Sequence, residues 1–173
     1  VFDYHIVINV AEKLKEHKDI VFQMIGEGSQ KEDFIQAAKD KGLENIVFLP
    51  LEKQEMVSDV YSACSVCFIP LKKGIIGNSV PSKAGLLMAC KRAIITSVDK
   101  NSDYYNMIDE YAGVAADNDN PDEIVQAILH MKNKRDVCIA YGISGYEYGH
   151  ELYSRSKNMK KYIELLEQCA SKK

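Results

Sequence analysis

The chain has 173 residues, of which 46% are apolar and 27% are charged, and its formal net charge is −3. This length and composition predict one globular domain, and a chain without a basic surplus is a poor candidate for a nucleic-acid partner. No apolar run approaches the roughly 20 residues that a membrane-spanning helix needs.

Two further features of the sequence indicate the cellular compartment of the protein and whether the chain is complete. The five cysteines are scattered and odd in number, which is typical of reduced thiols in a cytoplasmic protein. The sequence opens on Val1, and the residues that follow are already helical in pattern. We therefore expect this chain to be a piece of a longer protein.

The first part of the chain predicts helices that alternate with short strands. Residues 3–17 place Ile6, Val10 and Leu14 on one helical face, and residues 20–25 form an apolar run that is typical of a buried parallel strand. The next predicted elements are a helix over 30–41 stopped by Gly42, a strand over 46–49, a helix over 53–63 and a strand over 66–69.

The second part continues the alternation and then becomes helical throughout. After the helix at Pro81 we predict a strand over 93–97, a short helix over 102–108, a weak strand over 113–115 and a helix capped by Asn120. Beyond Asn133 only helical periodicity remains, interrupted by glycines at 142, 145 and 149 and resuming over 154–169. The pattern predicts an α/β fold over 1–173 with a Rossmann-like parallel sheet, helices on both of its faces, and a helical extension over 133–173.

The loop and helix over residues 71–90 are the best candidate for a functional site. Proline is typical of the first helical position, so the helix is predicted to open at Pro81, with Val80 as the cap residue and Ser79 beside it. The free amides of the first turn then point into a loop that carries few large side chains.

Two side chains strengthen this prediction. Ser82 and Lys83 add a hydroxyl donor and a positive charge to the dipole of the helix start, a combination that favours an anion such as phosphate. An ordinary strand-loop-helix connection with a solvated lysine fits the same residues equally well.

Ligands of open parallel sheets bind at the carboxyl ends of the strands. The loops over 26–29, 50–53 and 71–79 are predicted to meet there. The first contains Gly26 and Gly28, but the third glycine of the dinucleotide fingerprint is missing, which disfavours a nicotinamide cofactor.

Cys64 and Cys67 form a C-x-x-C motif. In thioredoxin-like sites such a pair opens a helix, whereas here it closes a helix and enters a strand. With no second pair and no neighbouring histidine to complete a zinc site, the sequence disfavours redox or metal chemistry at this motif.

Four segments carry a resemblance to a known family. They are Met24-Ile25-Gly26-Glu27-Gly28, Asn45-Ile46-Val47-Phe48-Leu49, Tyr61-Ser62-Ala63-Cys64-Ser65-Val66 and Met88-Ala89-Cys90-Lys91-Arg92-Ala93-Ile94-Ile95. In this order they resemble the V-G-D-G, N-V-x-F-L-G, Y-x-x-A-D-V and M-A-C-G-K-P-V-V segments of retaining group 1 glycosyltransferases. The chain is thus similar to the C-terminal, nucleotide-sugar-binding half of a GT-B enzyme, of the kind that builds bacterial surface polysaccharides.

The resemblance implies a substrate site but no cofactor and no metal. A UDP- or GDP-linked sugar would lie on the helix at Pro81, with its base against the loop after the second predicted strand. The residues implied in substrate binding are Gly26, Leu49, Pro50, Leu51, Asn78, Ser79, Val80, Ser82 and Lys83. The catalytic residues stay unassigned.

The chain departs from the family at its signature pair of glutamates, which face the donor sugar and the ribose hydroxyls. Aligned on Met88-Ala89-Cys90, those positions are Asn78 and Leu86, and a leucine cannot bind a ribose diol. Either this is a variant site that keeps Ser82 and Lys83 for the diphosphate, which we favour, or the site has decayed.

The resemblance implies a hexosyltransferase that acts with retention in polysaccharide or glycan biosynthesis, as part of a longer chain. The acceptor domain would precede Val1, so the fragment alone is expected to be inactive. The alternative is a non-catalytic binding or regulatory module that keeps the half-fold without the chemistry.

The expected location of the full enzyme is the cytoplasm, with peripheral contact to the inner face of the membrane left open. Glu164 and Glu167 favour a solvated face for the lysine-rich end over an acidic membrane. The lysines concerned are Lys157, Lys160, Lys161, Lys172 and Lys173.

Overall fold

The computed structural model describes residues 2–75 and 80–171. The strands are β1 (Phe22–Ile25), β2 (Ile46–Leu49), β3 (Cys67–Pro70), β4 (Ile94–Ser97) and β5 (Gly113–Ala116). The helices are α1 (Tyr4–Lys13), α2 (Lys31–Asp40), α3 (Val57–Ala63), α4 (Ser82–Ala89), α5 (Asp103–Met107), α6 (Pro121–Asn133), α7 (Arg135–Tyr153) and α8 (Arg155–Ala170). A 3₁₀ turn over Gln54–Met56 precedes α3, and a π turn over Ile108–Ala112 follows α5.

All strand pairs are parallel, as the sequence predicts. β1 pairs with β2, and β4 lies between β3 and β5. Within the described residues these are two separate hydrogen-bonded ladders. The predicted α/β class, with helices on both faces of parallel strands, is confirmed.

Two apolar cores lie on opposite faces of the three-stranded ladder that contains β4. Ile95 of β4 packs with residues of α1, α2 and α6, whereas its neighbour Ile94 packs with residues of α4 and α5. This alternation follows from the two-residue period of a strand, which sends successive side chains to opposite faces.

α1 lies where the sequence predicts it. Asp3 accepts a hydrogen bond from the amide of His5 at 3.0 Å and caps the helix, and Ile6, Val10 and Leu14 are buried. The edge strand β1 is less buried than predicted, since Gln23 and the preceding Val21 are exposed.

The glycines after α6 do not interrupt a helix, contrary to the sequence prediction. α7 runs without a break from Arg135 to Tyr153, and Gly142, Gly145 and Gly149 form one buried face of it. An added Cβ would lie 2.3 Å from the Lys91 carbonyl oxygen at Gly142 and 3.0 Å from the Met88 Cβ at Gly149. The glycines therefore allow α7 to lie close against the end of α4.

α8 differs from every other long helix, because none of its 16 residues is buried. Its apolar positions Met159, Tyr162, Ile163 and Leu166 are about half exposed. Among the residues that the structure describes, no helix is long and apolar enough to cross a membrane.

Candidate functional site

The loops after β1 and β2 leave the sheet side by side. Ile25 pairs with Leu49, so the chain turns away at Gly26 and at Pro50 in neighbouring positions. Gly26 has φ +140°, a backbone conformation that side chains rarely adopt, and this explains a glycine at the end of β1. Leu51 is 68% exposed, so it is available to a ligand and contributes little to the core.

The start of α4 differs by one residue from the sequence prediction. Pro81 has ψ 129°, so it is the residue before the helix, and Ser82 is the first helical residue. The proline carbonyl accepts the amide of Ala84 at 3.0 Å, which closes the first turn. Ser82 and Lys83 are exposed in that turn.

The remaining predicted contacts at this helix can be placed only in part. Val80 is 40% exposed directly before Pro81. Asn78 and Ser79 lie outside the described residues. α4 itself is anchored by Ala84, Leu87 and Met88, all buried, so its first turn has a fixed position at the carboxyl ends of the strands.

Neighbouring loops hold the segment that leads toward α4. The Gly74 amide donates to both carboxylate oxygens of Asp99, at 2.9 and 3.1 Å. The Leu71 amide donates to the backbone oxygen and to the hydroxyl of Ser97, at 3.1 and 3.2 Å. The Leu71 carbonyl accepts a hydrogen bond from the side-chain amide of Asn118.

An ion pair at the same loop joins Lys73 to Asp119. The Asp119 carboxylate raises the pKa of the Lys73 ammonium, which keeps that lysine charged. Sequence reasoning missed Asp99, Asn118 and Asp119. Their position was a usable signal, because they directly follow β4 and β5 at the strand ends where ligands of parallel sheets bind.

An open groove of about 720 Å³ separates α4 from the 3₁₀ turn and α3. Gln54, Val57 and Tyr61 form one wall, and Leu86, Ala89 and Cys90 form the other. Leu86 is 51% exposed. Gln54, the first residue after the loop that follows β2, lines this groove opposite Leu86.

This arrangement suits a ligand with an anionic part and a flat apolar part. The amides of the first turn of α4, the Ser82 hydroxyl and the Lys83 ammonium provide donors for an anion, and the groove provides an apolar wall. In the described ranges, no group of three or more metal-binding side chains lies together.

Comparison with known proteins gives one family match. The family model described as glycosyl transferases group 1 matches residues 3–134. The putative colanic acid biosynthesis glycosyl transferase WcaI of Escherichia coli is 21% identical over 109 residues, which are 63% of this chain and 26% of that protein.

Solved structures of similar fold include two that contain nucleotide ligands. Anabaena HepE in complex with UDP-glucose superposes with a TM-score of 0.76 at 12% identity, covering 95% of this chain and 44% of HepE. A TarM variant of S. aureus in complex with fondaparinux, alpha-GlcNAc-glycerol and UDP gives 0.76 at 20% identity, covering 93% of this chain and 32% of TarM.

A third structure is a single domain. The C-terminal domain of the group 1 protein LpcC from Francisella tularensis gives a TM-score of 0.69 at 21% identity, covering 87% of this chain and 78% of that domain. The chain thus spans about a quarter of WcaI and less than half of HepE and TarM, but most of the isolated LpcC domain.

Proposed function

Since the chain belongs to the group 1 glycosyl transferases, we propose that it binds a nucleotide-diphosphate sugar and serves as the donor domain of a longer retaining enzyme. The observation that carries this proposal is the start of α4, where Ser82 and Lys83 are exposed in the first turn and Pro81, as the cap residue, has no side-chain hydrogen bond to the amides. The likeness to structures that hold UDP or UDP-glucose supports the same ligand class.

The diphosphate lies on the first turn of α4 in this proposal. The Ser82 hydroxyl and the Lys83 ammonium contact its oxygens together with the backbone amides, and Asn78, Ser79 and Val80 are further candidates for binding. The base lies against Leu49-Pro50-Leu51, and Gly26 leaves space beside it. Asp99 holds the loop before this site through the amide of Gly74.

The chemical contribution of this domain is to stabilise the leaving group. Negative charge grows on the nucleotide diphosphate as the bond to the sugar breaks, and fixed amides with a lysine stabilise that charge more in the transition state than in the ground state. Retention, the hexosyl donor and a role in polysaccharide synthesis belong to the full enzyme. In this proposal the acceptor site belongs to another domain of the longer enzyme, so this domain alone binds donor without turnover.

The full enzyme works in the cytoplasm in this proposal, where it draws on nucleotide sugars as donors. Contact with the membrane surface, if the acceptor is a lipid-linked sugar, belongs to the full-length protein.

Calorimetric titration of the chain with UDP, GDP and their sugar conjugates tests the proposal. Lys83→Ala or Ser82→Ala is expected to weaken binding of the preferred diphosphate by about 1 to 3 kcal/mol, the contribution of a hydrogen bond to a charged group. Lys39→Ala is the matched control, because Lys39 is an exposed helical lysine in the last turn of α2. Equal affinity of the Lys83→Ala and Lys39→Ala variants would contradict the placement of the diphosphate.

A non-catalytic module is the second candidate, and the exposed Leu86 is the observation that favours it. The family places a ribose-binding glutamate at this position, and here an apolar side chain is 51% exposed instead. The two candidates differ in the same titration carried out on the full-length protein. A module that has lost the chemistry binds no nucleotide in either form.

A further inference from the structure

The two thiols of the C-x-x-C motif lie side by side in the folded chain. Cys64 is the residue that ends α3, Cys67 is the first residue of β3, and their sulfur atoms are 3.0 Å apart. A disulfide bond is about 2.05 Å long, so a shift of roughly 1 Å would join them. The bend over residues 64–66 brings the two thiols together. Neither thiol lies at the start of a helix, as it would in thioredoxin-like sites.

The two thiols differ in access. Cys64 is partly exposed, whereas Cys67 is buried with 9% of its surface accessible. An external reagent therefore reaches Cys64 first, and Cys67 lies behind it within reach of the Cys64 sulfur. This is the arrangement that an attacking thiol and a resolving thiol require.

The surroundings favour a reactive thiolate at Cys64. The hydrogen bond with Cys67 and the positive charge of Arg92 lower the pKa of Cys64 to about 7. The same hydrogen bond and burial raise the pKa of Cys67. Arg92 is fixed there, because its guanidinium donates to the carbonyl oxygens of Ser62 and Cys64 at 3.2 and 3.3 Å. The Tyr61 carbonyl, 2.9 Å from the Cys64 sulfur, accepts the S–H when Cys64 is protonated.

We propose that Cys64 and Cys67 form a reversible dithiol–disulfide site that exchanges with a low-molecular-weight disulfide. The Cys64 thiolate attacks one sulfur of the small disulfide and releases one thiol. The Cys67 thiol then loses its proton and attacks the Cys64 sulfur, which releases the second thiol. In total two protein thiols are oxidised to one disulfide while one small disulfide is reduced to two small thiols.

A disulfide site fits these residues better than a metal site. A closed zinc site needs four ligands, and within the described residues no third metal-binding side chain joins the pair. The pair lies at the amino end of β3, whereas the loop to α4 leaves from its carboxyl end. The inference therefore does not rest on the proposed nucleotide site, although Tyr61, whose carbonyl contacts Cys64, also lines the groove beside α4.

The test is equilibration of the chain in mixtures of reduced and oxidised glutathione, followed by alkylation in acid-quenched samples and tryptic mass mapping. No lysine or arginine lies between Lys53 and Lys72, so both cysteines fall in the peptide 54–72. The expected result is loss of two hydrogens from this peptide in oxidising mixtures, with full recovery in reducing ones. Cys90, Cys138 and Cys169 fall in other peptides and are the internal controls.

Two variants test the assigned order of attack. Cys67→Ser is expected to accumulate glutathione on Cys64, because the resolving thiol is gone. Cys64→Ser is expected to slow modification of Cys67 at least tenfold, because Cys67 is buried. Two results with the chain that carries no substitution would overturn the proposal. One is a stable glutathione adduct on Cys64, and the other is a peptide 54–72 that keeps both thiols in mixtures that modify the exposed Cys169. These two outcomes do not depend on whether the variants fold.

Discussion

Replacement of Gly142 by alanine tests whether the close contact of α7 with α4 is a requirement of the fold. Gly142 is buried within α7, and a Cβ there would lie 2.3 Å from the carbonyl oxygen and 2.9 Å from the carbonyl carbon of Lys91. Both atoms belong to the backbone, so no side-chain rotation relieves the contact. Lys91 itself has φ +52° in the turn that ends α4, a conformation that is uncommon for a residue with a side chain.

The expected free energy is the difference of two opposing effects. Alanine is favoured over glycine inside a helix by about 1 kcal/mol. Forcing an extra methyl group into a packed contact costs about 1 to 3 kcal/mol and more when backbone must move, and we take the upper end here. The net change in the free energy of unfolding is then a loss of about 2 kcal/mol, equivalent to a fall in Tm of roughly 4 to 8 °C for a chain of this size.

Urea denaturation followed by circular dichroism measures this change, and two variants separate its parts. Ala140→Gly, at an exposed position of α7, measures the effect of helix propensity without the close contact. It should lower the free energy of unfolding by about 1 kcal/mol. Gly149→Ala meets the Met88 Cβ at 3.0 Å, a longer distance than the 2.3 Å at Gly142, so its net cost should be smaller than that of Gly142→Ala. A Gly142→Ala chain that gains about 1 kcal/mol would refute the reasoning, since propensity alone would then account for it.

Three further changes probe the sites described above. Asp99→Ala removes both acceptors of the Gly74 amide. In calorimetry this change should weaken nucleotide diphosphate binding roughly threefold to tenfold, with little change in Tm. An unchanged affinity would contradict the proposed role of Asp99 in positioning the loop. Leu86→Glu should change the free energy of unfolding by no more than about 0.5 kcal/mol, because Leu86 is exposed. The new carboxylate should strengthen binding of a ribonucleotide but not of its 2′-deoxy form. An equal gain in affinity for both would count against a ribose contact. Arg92→Gln removes the charge that helps to lower the pKa of Cys64. The pH at which Cys64 alkylation is half-maximal should therefore rise above its expected value of about 7, and the alkylation rate at neutral pH should fall. An identical profile of rate against pH would show that Arg92 has no such effect.

Local signals in the sequence were sufficient for most element positions. Asn120 and Pro121 specify the start of α6, and the Asn120 side chain accepts the amide of Glu123 as a cap should. Gly42 ends the helix region before β2 with φ +59°, the conformation that glycine favours at such ends. These features depend only on neighbouring residues, so the sequence contains the whole signal.

Tertiary contacts decided the features that the sequence did not reveal. The glycines of α7 weaken a helix by propensity, yet they allow close packing on α4, and no local pattern distinguishes these roles. The pairing of Cys64 with Cys67 depends in the same way on the bend before β3. At the candidate site, Pro81, Ser82 and Lys83 pointed to the start of α4 and the family resemblance agreed, whereas Asp99 and Asn118 became visible only as hydrogen-bond partners of the loop before it.

The exposure of α8 has a thermodynamic consequence. Unfolding exposes apolar surface and raises the heat capacity by about 12 to 15 cal/mol/K per residue in an average globular protein. The 16 residues of α8 have no buried member and their apolar side chains are already about half exposed, so unfolding adds less apolar surface there than in an average helix. The heat-capacity increment of this chain therefore falls short of the value for its length by about 0.1 kcal/mol/K, roughly half of the average contribution of 16 residues.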